Sequence, residues 1–160
     1  MILVPSVRLA TTNDAQAIAE MSRQYIEHGL GWSWTPIRVR KAIRDPSTNV
    51  AVGHVGGRIL GFGIMQYGDE TAHLALLAVE ADQRKRGLGV LLLSWLEQCA
   101  LVAGIARIRL EARADNGEGL AFYARQGYRQ VGIVSGYYLG VLDAVRFEKA
   151  LAHDPAAPPT

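Results

Sequence analysis

Apolar and polar positions along the chain repeat with two periods, and the places where one period gives way to the other mark out the elements. The opening "VRLATTNDAQAIAEMSRQYIEHG" predicts a strand running into a helix, with Thr11 and Asp14 at the spacing of a capping pair. Ala15, Ile18, Ala19 and Met21 begin the apolar face of that helix, and Gly29 ends it. "LGWSWTPIRVRKAIRDPSTN" is the least regular stretch before the tail; Pro36 suits a first helical turn and Pro46 closes the helix. "VAVGHV" and "RILGFGIMQY" read as strands joined by Gly56-Gly57, a two-residue hairpin signal. After the turn at Gly68-Asp69, "TAHLALLAVEAD" predicts a third antiparallel strand, apolar enough to be buried on both faces at the centre of the sheet.

From Leu88 the period becomes helical: Leu88, Leu91, Leu92, Trp95, Leu96 and Cys99 form a stripe with steps of three and four, and Gly104 stops it. "IARIRLEAR" then alternates, with Ala106, Ile108, Leu110 and Ala112 on one face and Arg107, Arg109, Glu111 and Arg113 on the other. Strand, helix, strand in this order predicts a crossover joining two parallel strands. "NGEGLAFYARQGY" predicts a short helix ended by Gly127, and "RQVGIVSGYYL" with "AVRFEKAL" a closing pair of strands. The expectation is one α/β domain over residues 1–151 and a disordered tail over 152–160, where "HDPAAPPT" has too little apolar content to pack.

Composition narrows the function. A chain of 160 residues, 49% hydrophobic and 20% charged, has enough material for one sizeable core. A net charge of +2 excludes a surface built for nucleic acid, so a local cluster of basic residues must do local work. The single Cys99 excludes an internal disulfide and a cysteine-built metal site, and His28, His54 and His73 lack metal-ligand spacing. No stretch approaches the roughly 18 apolar residues of a membrane span, and "MILVPSVRLA" lacks the pattern of a secretion signal. The expected setting is cytoplasmic, away from membranes, for a monomer or a homodimer.

The local cluster is "DQRKRGLGVLLLSWL". A glycine-rich turn between a buried strand and a helix start aims several backbone N–H groups at one point, where the helix dipole adds partial positive charge. That is an anion site, with Arg84, Lys85 and Arg86 around it and Gly87 and Gly89 allowing close approach. A dinucleotide fingerprint fails because position 92 is Leu, and a Walker loop fails for want of Gly-Lys-Ser/Thr.

What remains, R-x-x-G-x-G after the strand "LLAV", resembles the GNAT superfamily of acyl-coenzyme A-dependent N-acetyltransferases, over about Val7 to Leu151. The resemblance implies an α/β fold with a central, mixed, mostly antiparallel and splayed sheet flanked by helices. It implies acetyl-CoA as cosubstrate, with Arg84, Lys85, Arg86, Gly87, Leu88, Gly89 and Val90 at the pyrophosphate and Leu77, Ala78 and Val79 along the pantetheine arm. "LEARADNGEGLAFYARQGY" and "GYYLGVLDAVRFEK" are similar to the bacterial branch that acetylates the N-terminal alanine of a ribosomal protein. In that branch a strand glutamate, an asparagine five residues on and a tyrosine twelve residues on act together; here these are Glu111, Asn116 and Tyr123. "HGLGWSWTPIRVRKAIRD" departs from the branch, and that segment shapes the acceptor site in this fold.

Acetyl transfer to an amine needs a neutral amine, a polarised thioester and a protonated leaving thiolate. Glu111 is the candidate base and Tyr123 the candidate acid, with Asn116 beside the cosubstrate. The plain alternatives are an ion pair of Glu111 with Arg109 or Arg113 and an ordinary half-buried Tyr123. Glu80 could replace Glu111 as base. Trp32 and Trp34 either wall the acceptor pocket or cap the core. Tyr137 and Tyr138 either touch an acceptor peptide or pack at the sheet edge, and Cys99 reads as an inert core thiol. The acceptor is a peptide N-terminus or a small-molecule amine. The rival outside enzymes is a non-catalytic acyl-CoA sensor.

Overall fold

A computed structural model of the chain describes residues 4–151, so the expected disordered tail lies outside the described residues. The elements run β1 (Ser6–Leu9), α1 (Ala15–Tyr25), α2 (Pro36–Arg44), β2 (Thr48–Val55), β3 (Arg58–Tyr67), β4 (Thr71–Val79), α3 (Leu88–Val102), β5 (Arg107–Arg113), α4 (Gly117–Arg125), β6 (Arg129–Tyr138) and β7 (Leu142–Ala150). Strand order is β1-β2-β3-β4-β5-β7-β6, with helices on a mixed sheet in which β4 and β5 are parallel. The chain divides into two compact units: residues up to Gln66 with Ala75–Leu96, and Tyr67–Leu74 with residues from Glu97 onward.

In the first unit β1, β2 and β3 pair antiparallel, and Gly56, at φ 59°, makes the two-residue hairpin turn. Asp14 accepts the Thr11 N–H at 2.8 Å and pairs with Arg8 at 2.7 Å, which sets the entry to α1. The helix stops at Tyr25, before Gly29, because the N–H groups of Ile26 and Glu27 both turn back to the Ser22 carbonyl. Its inward residues pack with Trp34, Val39, Val52, Phe62 and Ile64. Gly53, Gly61 and Gly63 alternate with those residues and so face the other side, under α3. A Cβ at Gly53 would lie 2.7 Å from Leu88, one at Gly61 3.0 Å from Leu92, and one at Gly63 2.6 Å from Leu96. The three glycines form a track on which successive turns of the helix rest.

That track corrects the α3 stripe. Leu88, Leu92 and Leu96 are buried as expected, but Leu91 is 41% exposed and Leu93 takes an inward position. The buried arc is centred nearer Leu96, and Leu91 falls outside it. Strand β4 needs a second correction: Ala72, Leu74, Leu76 and Ala78 are buried while the residues between them are half-exposed, so one face only is fully covered.

In the second unit Thr71–Leu74 of β4 runs parallel to β5, from Thr71↔Arg107 to Leu74↔Leu110. This is the arrangement that the strand, helix, strand order predicts. Strand β7 pairs antiparallel with β5 along its length and with β6, the outer strand, which carries two register shifts. Leu74, Ile108, Leu110, Tyr128 and Phe147 are buried here. Gly104 and Gly127, at φ 84° and 89°, stand just beyond the ends of α3 and α4, as their positions in the sequence predict.

Candidate active site

The turn that the sequence singles out belongs to the first unit. Strand β4 ends with the Glu80 N–H on the Leu60 carbonyl, a short 3-10 turn follows over Ala81–Gln83, and Lys85 (φ 63°) and Gly87 (φ 89°) swing the chain into α3. The first helical bond runs from Leu91 N–H to the Gly87 carbonyl at 3.0 Å, so the N–H groups of Leu88, Gly89 and Val90 precede it. Lys85, Arg86 and Gly87 are exposed around them. Three outward donors at a helix start with two cations beside them fit a pyrophosphate. At Gly87 a Cβ would meet nothing within 4 Å, so the left-handed backbone, not crowding, asks for glycine. Arg86 also lines a depression of about 350 Å³ with Arg58, Gln83 and Leu88.

Arg84 does not share this position. Its Nε lies 3.4 Å from the Val79 carbonyl, and its guanidinium sits 5.0 Å above the Tyr25 ring, so it braces the turn from behind. Tyr25 in turn donates to Glu80 Oε2 at 2.7 Å and accepts the Ala81 N–H at 3.3 Å. Glu80, the alternative base, is thus the partner of a tyrosine at the end of α1. Leu77 and Val79 lie on the α3 side of β4, close to Gly63 and Gly61, while Ala78 is buried in the core.

In the second unit Glu111 is the centre of a polar cluster, its side chain only 2% exposed. Oε1 lies 2.8 Å from His73 Nε2 and accepts the Tyr137 hydroxyl at 3.1 Å; Oε2 accepts Arg146 Nε at 3.1 Å. Arg109 Nε is 3.4 Å from Oε2, close enough for an ion pair but without hydrogen-bond geometry. Arg113, the other partner weighed from the sequence, turns instead to Asp115. Burial pushes the Glu111 carboxyl up, but His73, Arg146 and Tyr137 more than reverse this and hold it down at about 2.

Tyr123 stands half-buried on α4 against Phe122, Tyr128 and Phe147, with ring centroids 5.3 to 6.0 Å away. Its hydroxyl has no hydrogen-bond partner among the described residues, and burial followed by the nearby Tyr138 pushes its phenol up, so it keeps its proton. Asn116 caps α4, its side chain accepting the Gly119 N–H at 3.1 Å. Tyr138 joins Tyr137 at Glu111, its hydroxyl 3.4 Å from the Glu111 carbonyl. The sequence alternatives for this pair, acceptor contact or edge packing, both missed the carboxylate.

Sequence reasoning also missed Glu27. Buried in the first unit, it accepts Ser33 N–H (2.9 Å), Trp34 N–H (3.1 Å) and the hydroxyls of Ser22 and Ser33. It thereby fixes the segment joining α1 to α2. Trp34 is in the core under Arg38, and Trp32 donates to the Ala19 carbonyl beneath Arg23. A lone glutamate two residues ahead of a glycine carries no linear signal for this task. His54 bonds the Gly56 carbonyl at the hairpin, and burial raises the half-buried Cys99 thiol. No helix among the described residues is long and apolar enough to cross a membrane.

Comparisons with known proteins bear on the same residues. The chain is 35% identical over 97 residues to an uncharacterized N-acetyltransferase of Methanocaldococcus jannaschii, a match covering 59% of this chain and 61% of that protein. It is 34% identical over 82 residues to the ribosomal protein bS18-alanine N-acetyltransferase of Escherichia coli, covering 51% of this chain and 55% of that protein. The chain thus spans between about half and two thirds of the length of these curated relatives. The crystal structure of Ard1 from Thermoplasma volcanium shares the fold, with a TM-score of 0.83 at 21% identity over 93% of this chain and 99% of that one. Residues 15–128 match the Acetyltransferase (GNAT) family, from α1 through the turn before α3 and the Glu111 strand to Tyr128. The chain belongs to the acetyltransferase (GNAT) family.

Proposed function

We propose that this chain transfers the acetyl group of acetyl-CoA directly to a primary amine, and that its acceptor is the α-amine of a protein N-terminus. The observation that carries the donor half is the turn before α3, with the unpaired N–H groups of Leu88, Gly89 and Val90 beside Lys85 and Arg86. In this reading they hold the pyrophosphate, and Leu77, Ala78 and Val79 run along the pantetheine. The acceptor half is supported by likeness to the bS18-alanine N-acetyltransferase together with the Glu111, Asn116 and Tyr123 spacing. Glu111 and the groups around it handle the proton of the acceptor ammonium, and Tyr123 protonates the departing thiolate.

The test is thiol release from acetyl-CoA with a panel of peptides bearing N-terminal alanine or other residues, set beside amino acids, polyamines and aminoglycosides, with products identified by mass spectrometry. Acetylation at the peptide α-amine is the expected result. Turnover of small amines alone would move the acceptor to the small-molecule class. Tight acetyl-CoA binding without thiol release would favour a sensor.

A further inference from the structure

The turn before α3 contains a backbone shape that needs support. Lys85 has φ 63°, in the left-handed region, and a residue with a Cβ stays there only where its surroundings hold it. That support comes from α1. Ile18, Met21, Ser22 and Tyr25 share one face of the helix by their steps of three and four, so the buried residues before it carry Tyr25 to the end of β4. There its hydroxyl both donates and accepts: it gives its proton to Glu80 Oε2 at 2.7 Å and takes the Ala81 N–H at 3.3 Å. The two bonds fix the Glu80–Ala81 peptide, where the short 3-10 turn begins with the Gln83 N–H on the Glu80 carbonyl at 2.9 Å. The face of the same ring carries the Arg84 guanidinium at 5.0 Å, and Arg84 Nε reaches back to the Val79 carbonyl at 3.4 Å. The residue just before Lys85 is therefore held on two sides. The hydrogen bond to Glu80, followed by burial, pushes the Tyr25 phenol up, so the hydroxyl keeps the proton it donates.

We propose that Tyr25 is a positioning residue for the acetyl donor: through Glu80, Ala81 and Arg84 it holds the turn before α3 in the shape that presents the Leu88, Gly89 and Val90 N–H groups to the pyrophosphate of acetyl-CoA. The inference rests on the donor half of the reading above. Without the hydroxyl, the Ala81 N–H and the Glu80 carboxylate lose their partner and the turn samples other shapes. The fraction of chains with the three N–H groups converged then falls, and apparent affinity falls with it. Glu80 has a task other than proton transfer in this arrangement. It supplies an oxygen to the Tyr25 hydroxyl, and an amide carbonyl can do the same.

Calorimetry of CoA on the full chain, with steady-state kinetics on acetyl-CoA and a peptide bearing N-terminal alanine, tests this. Tyr25→Phe keeps the ring under Arg84 and removes only the hydroxyl. Its Kd for CoA and its KM for acetyl-CoA should rise by about three- to tenfold, with kcat and the peptide KM within about twofold of wild type. Tyr25→Leu removes the ring as well and should weaken binding further. Glu80→Gln should bind CoA within about twofold of wild type and keep kcat, whereas Glu80→Ala should match Tyr25→Phe. The double variant of Tyr25→Phe with Glu80→Ala should lose no more than either alone, because both break one bond. S-acetylpantetheine, which lacks the pyrophosphate, should serve wild type and Tyr25→Phe equally. Unchanged CoA affinity in Tyr25→Phe, or an equal loss with S-acetylpantetheine, overturns the proposal; Glu80→Ala carries the same test if Tyr25→Phe melts early. A fall in kcat in Glu80→Gln overturns the task given to Glu80. If the wild type binds CoA but acetylates no amine, the calorimetric series decides alone. Failure of the wild type to bind CoA overturns the donor reading itself, an outcome distinct from unchanged affinity in Tyr25→Phe.

Discussion

Glu111 and Arg146 stand directly opposite each other in the β5·β7 ladder, and the guanidinium Nε lies 3.1 Å from the carboxylate Oε2. With His73 and Tyr137 on the other oxygen, this holds the folded-state value at about 2 against an ordinary 4.5. The folded chain therefore binds fewer protons than the unfolded chain between those values. The stability contributed is complete above pH 4.5 and is lost as pH falls toward 2, by about 3 kcal/mol in all. Urea unfolding at pH 7 and pH 3 should show about 2 kcal/mol of this loss in the wild type and much less of it in Glu111→Gln. Arg146→Met should raise the Glu111 value and narrow the same window from below.

Gly87 gives the turn before α3 its shape through a φ of 89°. Gly87→Val strains the backbone by about 1–2 kcal/mol and re-aims the first-turn N–H groups. Calorimetry should find acetyl-CoA affinity reduced at least about tenfold, in a chain that still melts cooperatively. Arg84→Ala should weaken binding less, because Arg84 braces the turn from the Tyr25 side.

The glycine track beneath α3 sets a second, separable outcome. Gly63→Val places a side chain where a Cβ already lies 2.6 Å from Leu96, and overpacking of this kind costs about 1–3 kcal/mol. Gly53→Ala pushes on Leu88, the first residue of α3, and should lower acetyl-CoA affinity as well as stability. Denaturant unfolding and calorimetry on both variants separate the two effects.

Glu27 predicts an acceptor defect from a residue held by neutral donors, the N–H groups of Ser33 and Trp34 and the hydroxyls of Ser22 and Ser33. Glu27→Ala leaves the N–H groups of Ser33 and Trp34 without their acceptor, at about 1–3 kcal/mol for each one that stays buried. Hydrogen exchange over residues 26–35 should accelerate, and the KM of the acceptor should rise with acetyl-CoA affinity nearly unchanged.

Order and type of elements were legible because each is written in neighbouring residues. The capping pair before α1, the glycine pair of the β2–β3 hairpin, the glycines after α3 and α4, and the alternation of β5 all act within a few bonds of themselves. The shape of the turn before α3 was legible for the same reason, since a glycine of positive φ and the first turn of a helix are consecutive in the chain. The stripe on α3 was read one position off, because Gly53, Gly61 and Gly63, on other strands, decide which arc of the helix is covered. At Glu111 the sequence determined a carboxylate on the polar face of a strand, and its near neighbours suggested Arg109 or Arg113 as partners. Tertiary structure alone brought in His73, 38 residues before it, and Tyr137 and Arg146, 26 and 35 residues after it. Strand register makes these contacts, and register is a property of whole ladders that no local spacing encodes. A carboxylate's acidity follows from the charges and donors within a few ångströms of it, so the chemistry of Glu111 is decided at the level of the sheet.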